Sequence, residues 1–450
     1  MSGSSAPAAG AAASPSSAEL RRVRFTTLMA QSTEWYDFFL YTTAAAIVFP
    51  AVFFSADFSP LAATLSSFAT VAVGFIVRPL GGALFGHFGD RRGRKPALVV
   101  ALLLMAVATL LIAVLPGFAT LGLAAPVLLT LLRVLQGLAL GGQWGGAVLL
   151  ATEYAPPGKR GAYGAWAQVG LPVGLGLSSA TFLVVVNLVG GPAFLAYGWR
   201  IPFVIGGLLV LVALAMQLRL HETPAFRDIA NRTTSVPRSP VVEVIRKHPG
   251  RILVTIGVFL VVGGSFYVFT TGTLAYATGT LGIPRETMLV IIIIGAAAMA
   301  ALVFPASSWS DRYGRRRVFG TGVVLTLLWL LPFAALVASG DPLLVGTGVV
   351  VAMGIGGIMY GPTAALFSES FPVHLRYSGA SLGYQLSNVV GGGFAPLIMT
   401  SLLASTGSLL SVVVYVTVMG VITLVSLRLL GAPDEEGTTA APGAVPAVAT

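Results

Sequence analysis

The sequence of 450 residues has no cysteine, only four histidines and few charges, with Asp, Glu, Lys and Arg together making up 9%. Without cysteine there is no disulfide, no thiolate metal site and no cysteine nucleophile. The histidines add little: His87 and His374 fall near loops, His221 and His248 in a polar segment, and none share a metal-ligand spacing. The scarcity of charge matters most, because an ordinary soluble domain carries roughly 25%. Hydrophobic residues make up 56%, and a single apolar core stops growing near roughly 250 to 300 residues. The surplus apolar surface must face lipid.

The net charge of +10 does not point to nucleic acid. Basic residues sit in short segments between apolar runs, and no basic stripe is interleaved with aromatics. No nucleophile elbow or metal motif is present, so an enzyme is not expected. Apolar segments long enough to cross a bilayer, about 20 residues each, recur twelve times. Six fall in 25–220 and six in 252–430, separated by the polar linker 221–251. Residues 1–24 and 431–450, rich in Ala, Ser, Pro and Gly, read as disordered tails. Of the 26 Lys and Arg, 22 fall on one side of the expected membrane, which makes that side, and both termini, cytoplasmic.

The halves repeat. Gly86 to Lys95 reads GHFGDRRGRK and Ser307 to Arg316 reads SSWSDRYGRR, aligning Asp90 with Asp311, Arg91 with Arg312, Gly93 with Gly314 and Arg94 with Arg315. A second echo pairs Glu153, Pro156, Arg160 and Gln168 with Glu369, Pro372, Arg376 and Gln385. Parallel six-helix repeats place a solute site between the halves near the midplane, and rocking about it gives alternating access. One chain then holds the whole site, so a monomer is expected to function.

Ionisable residues inside membrane spans are functional candidates by default. Glu34 and Asp37 are spaced i,i+3 and share a helix face, roughly 14 to 18 Å from the cytoplasmic end. Arg78 lies in the second span and Arg133 in the fourth, nearer the outer surface. Protonating one carboxylate would leave this set net positive and ready for an anionic solute. Asp37 is the first choice for proton carrier, since burial and a neighbouring acid both favour the neutral carboxyl. The proton is thus the coupling ion, and no other cofactor is expected. Arg78 is the first choice for a carboxylate contact, through its planar fork of donors. Tyr267, Tyr360, Tyr384, Gln385 and Asn388 are further candidates for contacting solute, although interhelical hydrogen bonding is the commoner role of such residues.

The form G-x-x-x-D-R-x-G-R-K of Gly86 to Lys95 resembles the signature loop of the major facilitator superfamily. In it Gly86 allows close helix approach, Asp90 can accept hydrogen bonds from a neighbouring helix N-terminus or an Arg, and Gly93 permits a sharp turn. Breaking that latch is expected to accompany opening. Arg133 to Gly137, RVLQG, is similar to the fourth-helix motif associated with proton-coupled members. STEWYDFFLY, GFIVRPLGGALFGHFGDRRGRK, YGWRIPF and ETPAF resemble the metabolite:proton symporter family along nearly the whole chain, and RYSGASLGYQLSNVVGGG its shikimate permease branch. The resemblance implies an all-α major facilitator fold and symport of a small organic acid such as shikimate, dicarboxylates, 2-oxoglutarate or citrate, or of a zwitterion such as proline or betaine. An exporter or antiporter would use the same fold. One departure bears on coupling: the family's GGEWGG is GGQWGG here. Gln143 cannot carry a proton, so coupling is expected to rest on Glu34 or Asp37, to weaken or to be lost, while Gln143 can still contact substrate.

Overall fold

A computed structural model describes residues 17–92, 94–141, 155, 158–219, 240–371 and 376–430. All regular structure among them is helical. The long elements are α1 (Ser17–Ile47), α2 (Pro60–Arg92), α3 (Arg94–Val114), α4 (Ala124–Gly141), α5 (Arg160–Val189), α6 (Gly191–Gly198 continuing as Arg200–Ala215), α7 (Pro249–Gly279), α8 (Arg285–Tyr313), α9 (Arg315–Ala338), α10 (Pro342–Glu369), α11 (Gly379–Thr406) and α12 (Leu409–Leu429). A short helix, Pro240–Lys247, precedes α7, so the end of the expected linker is structured.

Ten of these helices are long and apolar enough to span a membrane, and α6 adds an eleventh if its two pieces, bent by 43°, are one span. Large apolar side chains such as Leu188, Leu253, Leu328 and Leu343 stand outward at 68% to 80% exposure. In water that arrangement is costly, and in a bilayer it is solvation. The exception is α1, which is long enough but too polar to pass the same test. Its surroundings account for this: every residue from Trp35 to Phe49 is buried, and α1 packs against α2, α5, α6 and α7. It needs no lipid-facing apolar stripe, so it can carry acids.

The two halves meet mainly along four helix pairs, α1 with α7, α2 with α11, and α5 with both α8 and α10. Glycine permits the close approaches: a side chain on Gly393 of α11 would strike Phe75 of α2, and one on Gly161 of α5 would strike Ser307, Ser310 and Asp311 of α8. Both α7 and α11 contain a π-helical turn, Val268–Gly272 and Asn388–Gly393, directly beside the space between the halves. Such turns re-aim side chains and free backbone groups, and they occur often at functional sites.

Candidate functional site

A narrow cavity lies between the halves, lined by Trp35 of α1 and Leu171 of α5 on one side and by residues of α7, α8, α10 and α11 on the other. Of the residues predicted to contact solute, Tyr267, Tyr360, Tyr384 and Asn388 line it. The hydroxyls of Tyr360 and Tyr384 are 3.4 Å apart, and Asn388 donates to the Tyr384 carbonyl at 2.9 Å. Phe259 and Phe266, with Met299 and Met353, complete an aromatic and apolar wall. A few convergent polar groups on an apolar wall are what small-solute sites have in common.

Arg78 is 3% exposed and its guanidinium lies 4.3 Å over the ring of Phe38 and 4.4 Å over that of Phe75, with Trp35 at 5.9 Å. Its Nε is buried with no partner, and among the described residues no carboxylate is within ion-pair distance. Glu34 and the hydroxyls of Tyr267, Tyr360 and Tyr384 are its electrostatic neighbours. Rings alone do not satisfy a planar fork of five donors. An anion would.

Asp37 is completely buried and belongs to a second, separate cluster. Thr109 of α3 donates to its Oδ1 at 2.5 Å and Gln136 of α4 to its Oδ2 at 3.2 Å, and Gln136 also donates to Thr109 at 2.9 Å. The Gln136 oxygen accepts from Arg133 at 3.2 Å. The structure thus brings Asp37 and Arg133 together, but through an amide rather than as an ion pair. Arg133 is fully buried and clamped over Tyr41 at 4.1 Å and Phe38 at 4.7 Å. Ring contacts with Tyr41 and Phe38 of α1 and the close approach of Gly74 of α2 enclose it. Tyr41 in turn donates to Thr70 at 2.7 Å. Glu34 stands apart from this cluster, half-buried, accepting from Gln31 at 2.9 Å.

Other predicted residues fall elsewhere. Neither Arg78 nor Gln385 lines the cavity, and the Gln385 amide donates across the halves to the Gly141 carbonyl of α4 at 3.4 Å. Gln143 and Gly93 lie outside the described residues, as do the side chains of Gly86, Asp90, Arg91 and Arg94. The second copy of that loop is described. Asp311 accepts from the first backbone amides of α5, Gly161 and Ala162, both at 2.9 Å. Arg315 pairs with Asp311 and with Glu369 of α10, the latter at 3.3 Å. Gly314, at φ +95°, makes the turn into α9 in a conformation that other residues rarely adopt. Arg312 is exposed, lies over Tyr313 and does not join the latch.

Thr109, Gln136, Phe38 and Trp35 escape the sequence reading. Gln136 has the clearest signal in retrospect, one turn from Arg133 within the quoted RVLQG. Thr109 sits in an apolar run where nothing distinguishes it from other span threonines.

Comparison with known proteins agrees with this architecture. The family described as Sugar (and other) transporter matches residues 23–239 and the Major Facilitator Superfamily matches 275–449. The inner membrane metabolite transport protein YhjE of Escherichia coli K12 is 39% identical over 413 residues, 91% of this chain and 93% of the relative. The shikimate transporter of the same organism is 40% identical over 400 residues, 88% and 91% of the two chains. The proline/betaine transporter of Salmonella typhimurium is 30% identical, covering 91% and 83%. The fold matches the partially occluded, inward-open xylose transporter XylE of E. coli with a TM-score of 0.70 at 18% identity, over 92% of this chain and 97% of that one. At 39% and 40% identity along 91% and 88% of its length, the chain belongs to the major facilitator superfamily, in its metabolite:proton symporter branch, and is a multi-pass membrane transporter.

Proposed function

We propose that this transporter couples proton entry to import of a small organic acid by alternating access, with α1 as a twelfth span and both termini in the cytoplasm. The observation that carries the reading is Arg78, a buried guanidinium held by two rings with no ion-pair partner among the described residues. A carboxylate entering from the cavity supplies the missing partner, and tyrosine hydroxyls and Asn388 are placed for its remaining polar groups. Asp37, hydrogen-bonded and with no cation in direct ion-pair contact among the described residues, takes the role of proton carrier. The contacts of Asp311 with α5 act as the latch that closes one end.

The relatives include both a shikimate transporter and proline/betaine transporters. A zwitterion is the second reading, favoured by Glu34 standing in the electrostatic neighbourhood of Arg78. Proteoliposomes with an inward proton gradient, tested with labelled shikimate, a dicarboxylate, 2-oxoglutarate, proline and betaine, decide the matter. Accumulation of an acid supports the first reading and of proline or betaine the second. Efflux driven by the same gradient makes the chain an antiporter.

A further inference from the structure

Phe38 is an apolar residue at the centre of two polar clusters. Its side chain is completely buried, and two guanidinium groups lie over its one ring, Arg78 at 4.3 Å and Arg133 at 4.7 Å. Each cation has a second ring of its own, Phe75 for Arg78 and Tyr41 for Arg133. Arg78 does not line the cavity itself, but three of its electrostatic neighbours, Tyr267, Tyr360 and Tyr384, do, and Glu34 is the fourth. Arg133 belongs to the closed cluster with Gln136, Asp37 and Thr109. Trp35, Phe39, Phe75 and Tyr267 pack around the Phe38 ring in T-shaped contacts at 5.2 to 6.2 Å. Two like charges on one ring in a low-dielectric interior repel, and the ring quadrupole is a favourable seat for each.

We propose that Phe38 is a positioning residue that seats both cations on one ring and so links the proton-carrying cluster to the substrate-facing cation. The proposal rests on the proton-coupled reading above. With Asp37 charged, Arg133 has a counter-charge through the Gln136 amide. With Asp37 protonated, that counter-charge is gone, and the repulsion on Arg78 is relieved best by an anion arriving from the cavity. The groups facing this array are Tyr41, Asp37 and Glu34 on α1, Tyr267 on α7, Tyr360 on α10 and Tyr384 on α11. Phe38 itself never titrates. It keeps the two arginines where each feels the other.

The test uses the full chain with Phe38→Leu, Phe38→Tyr, and Phe203→Leu, a fully buried phenylalanine of α6 that packs on Phe49 and touches neither cation. Two readouts are taken. The first needs no substrate: infrared titration of the Asp37 carboxyl, assigned by subtracting Asp37→Asn. Phe38→Leu should shift the midpoint by about half a pH unit or more, from the size of a desolvated cation–ring contact, and Phe203→Leu should leave it in place. The second is uptake of labelled shikimate, where Phe38→Leu should raise KM at least tenfold and remove its dependence on pH, with Phe38→Tyr restoring both. An unmoved midpoint in Phe38→Leu, or an equal shift in Phe203→Leu, overturns the proposal. A wild-type chain that moves none of the probe solutes overturns the functional reading instead, and the infrared result still decides the role of Phe38.

Discussion

The carboxylate of Asp311 on α8 sits on the backbone amide of Gly161, 2.9 Å away at the first turn of α5 in the other half. A negative charge at a helix N-terminus meets unsatisfied amides and the positive end of the helix dipole. Gly161 makes the approach possible, because a Cβ there would lie 2.8 Å from Ser310 Oγ and 3.0 Å from Asp311 Oδ1. Gly161→Val should therefore force this end open. The absence of native cysteine makes the measurement direct. A single cysteine at the buried Ser307 should react with a maleimide about tenfold faster in Gly161→Val or Asp311→Asn, as loss of a helix-terminus anion contact allows.

The sequence repeat bears on this contact. The loop pattern lets Asp90 accept from a neighbouring helix N-terminus or an Arg, and Asp311, its aligned copy, accepts from both. The matched glutamines Gln168 and Gln385 behave alike too, each donating across the halves to a carbonyl, Tyr360 at 3.0 Å and Gly141 at 3.4 Å. Periodic features survive in sequence because both halves must build the same helix ends. The Asp37 cluster was harder to read. Its partners come from α3 and α4, and which face of those helices turns toward α1 depends on packing, not on composition. The aromatic seats of Arg78 and Arg133 were invisible for the same reason, since an FF pair in an apolar helix ordinarily faces lipid or core.

Asp37→Asn is expected to abolish proton-driven accumulation while leaving exchange of labelled substrate across the membrane intact. The amide keeps the shape and can still accept from Thr109, but it carries no proton. Equal accumulation in the variant and the parent would remove Asp37 from the carrier role. Thr109→Val should slow driven uptake several-fold by leaving Asp37 short of its 2.5 Å donor, and Thr109→Ser should retain it.

Arg78→Lys is not a conservative change at this position. The guanidinium is a flat group lying over Phe38 and Phe75, whereas an ammonium is a strongly hydrated point charge with no face to stack. Affinity for an anionic acid should fall about tenfold, the scale of a lost bidentate contact, and affinity for a zwitterion should fall less. Competition assays with shikimate and betaine read the difference. Equal losses would argue against a direct carboxylate contact.

Gly356 offers the cleanest test that the cavity is where solute binds. It lies on the same face of α10 as Met353 and Tyr360, both in the cavity wall, and a Cβ at this position would meet nothing within 4 Å. Neighbouring glycines of the same helix, Gly357 and Gly361, would strike the backbone of α8 if enlarged. Gly356→Leu therefore projects into the cavity without prying helices apart, and removing a helix-interior glycine is itself mildly favourable. The melting temperature in detergent should be unchanged or slightly higher. KM for a ring-shaped acid should rise at least tenfold, because an overfilled pocket excludes a rigid solute, while a smaller solute such as proline should be affected less. An unchanged KM with intact folding would move the binding site out of this cavity.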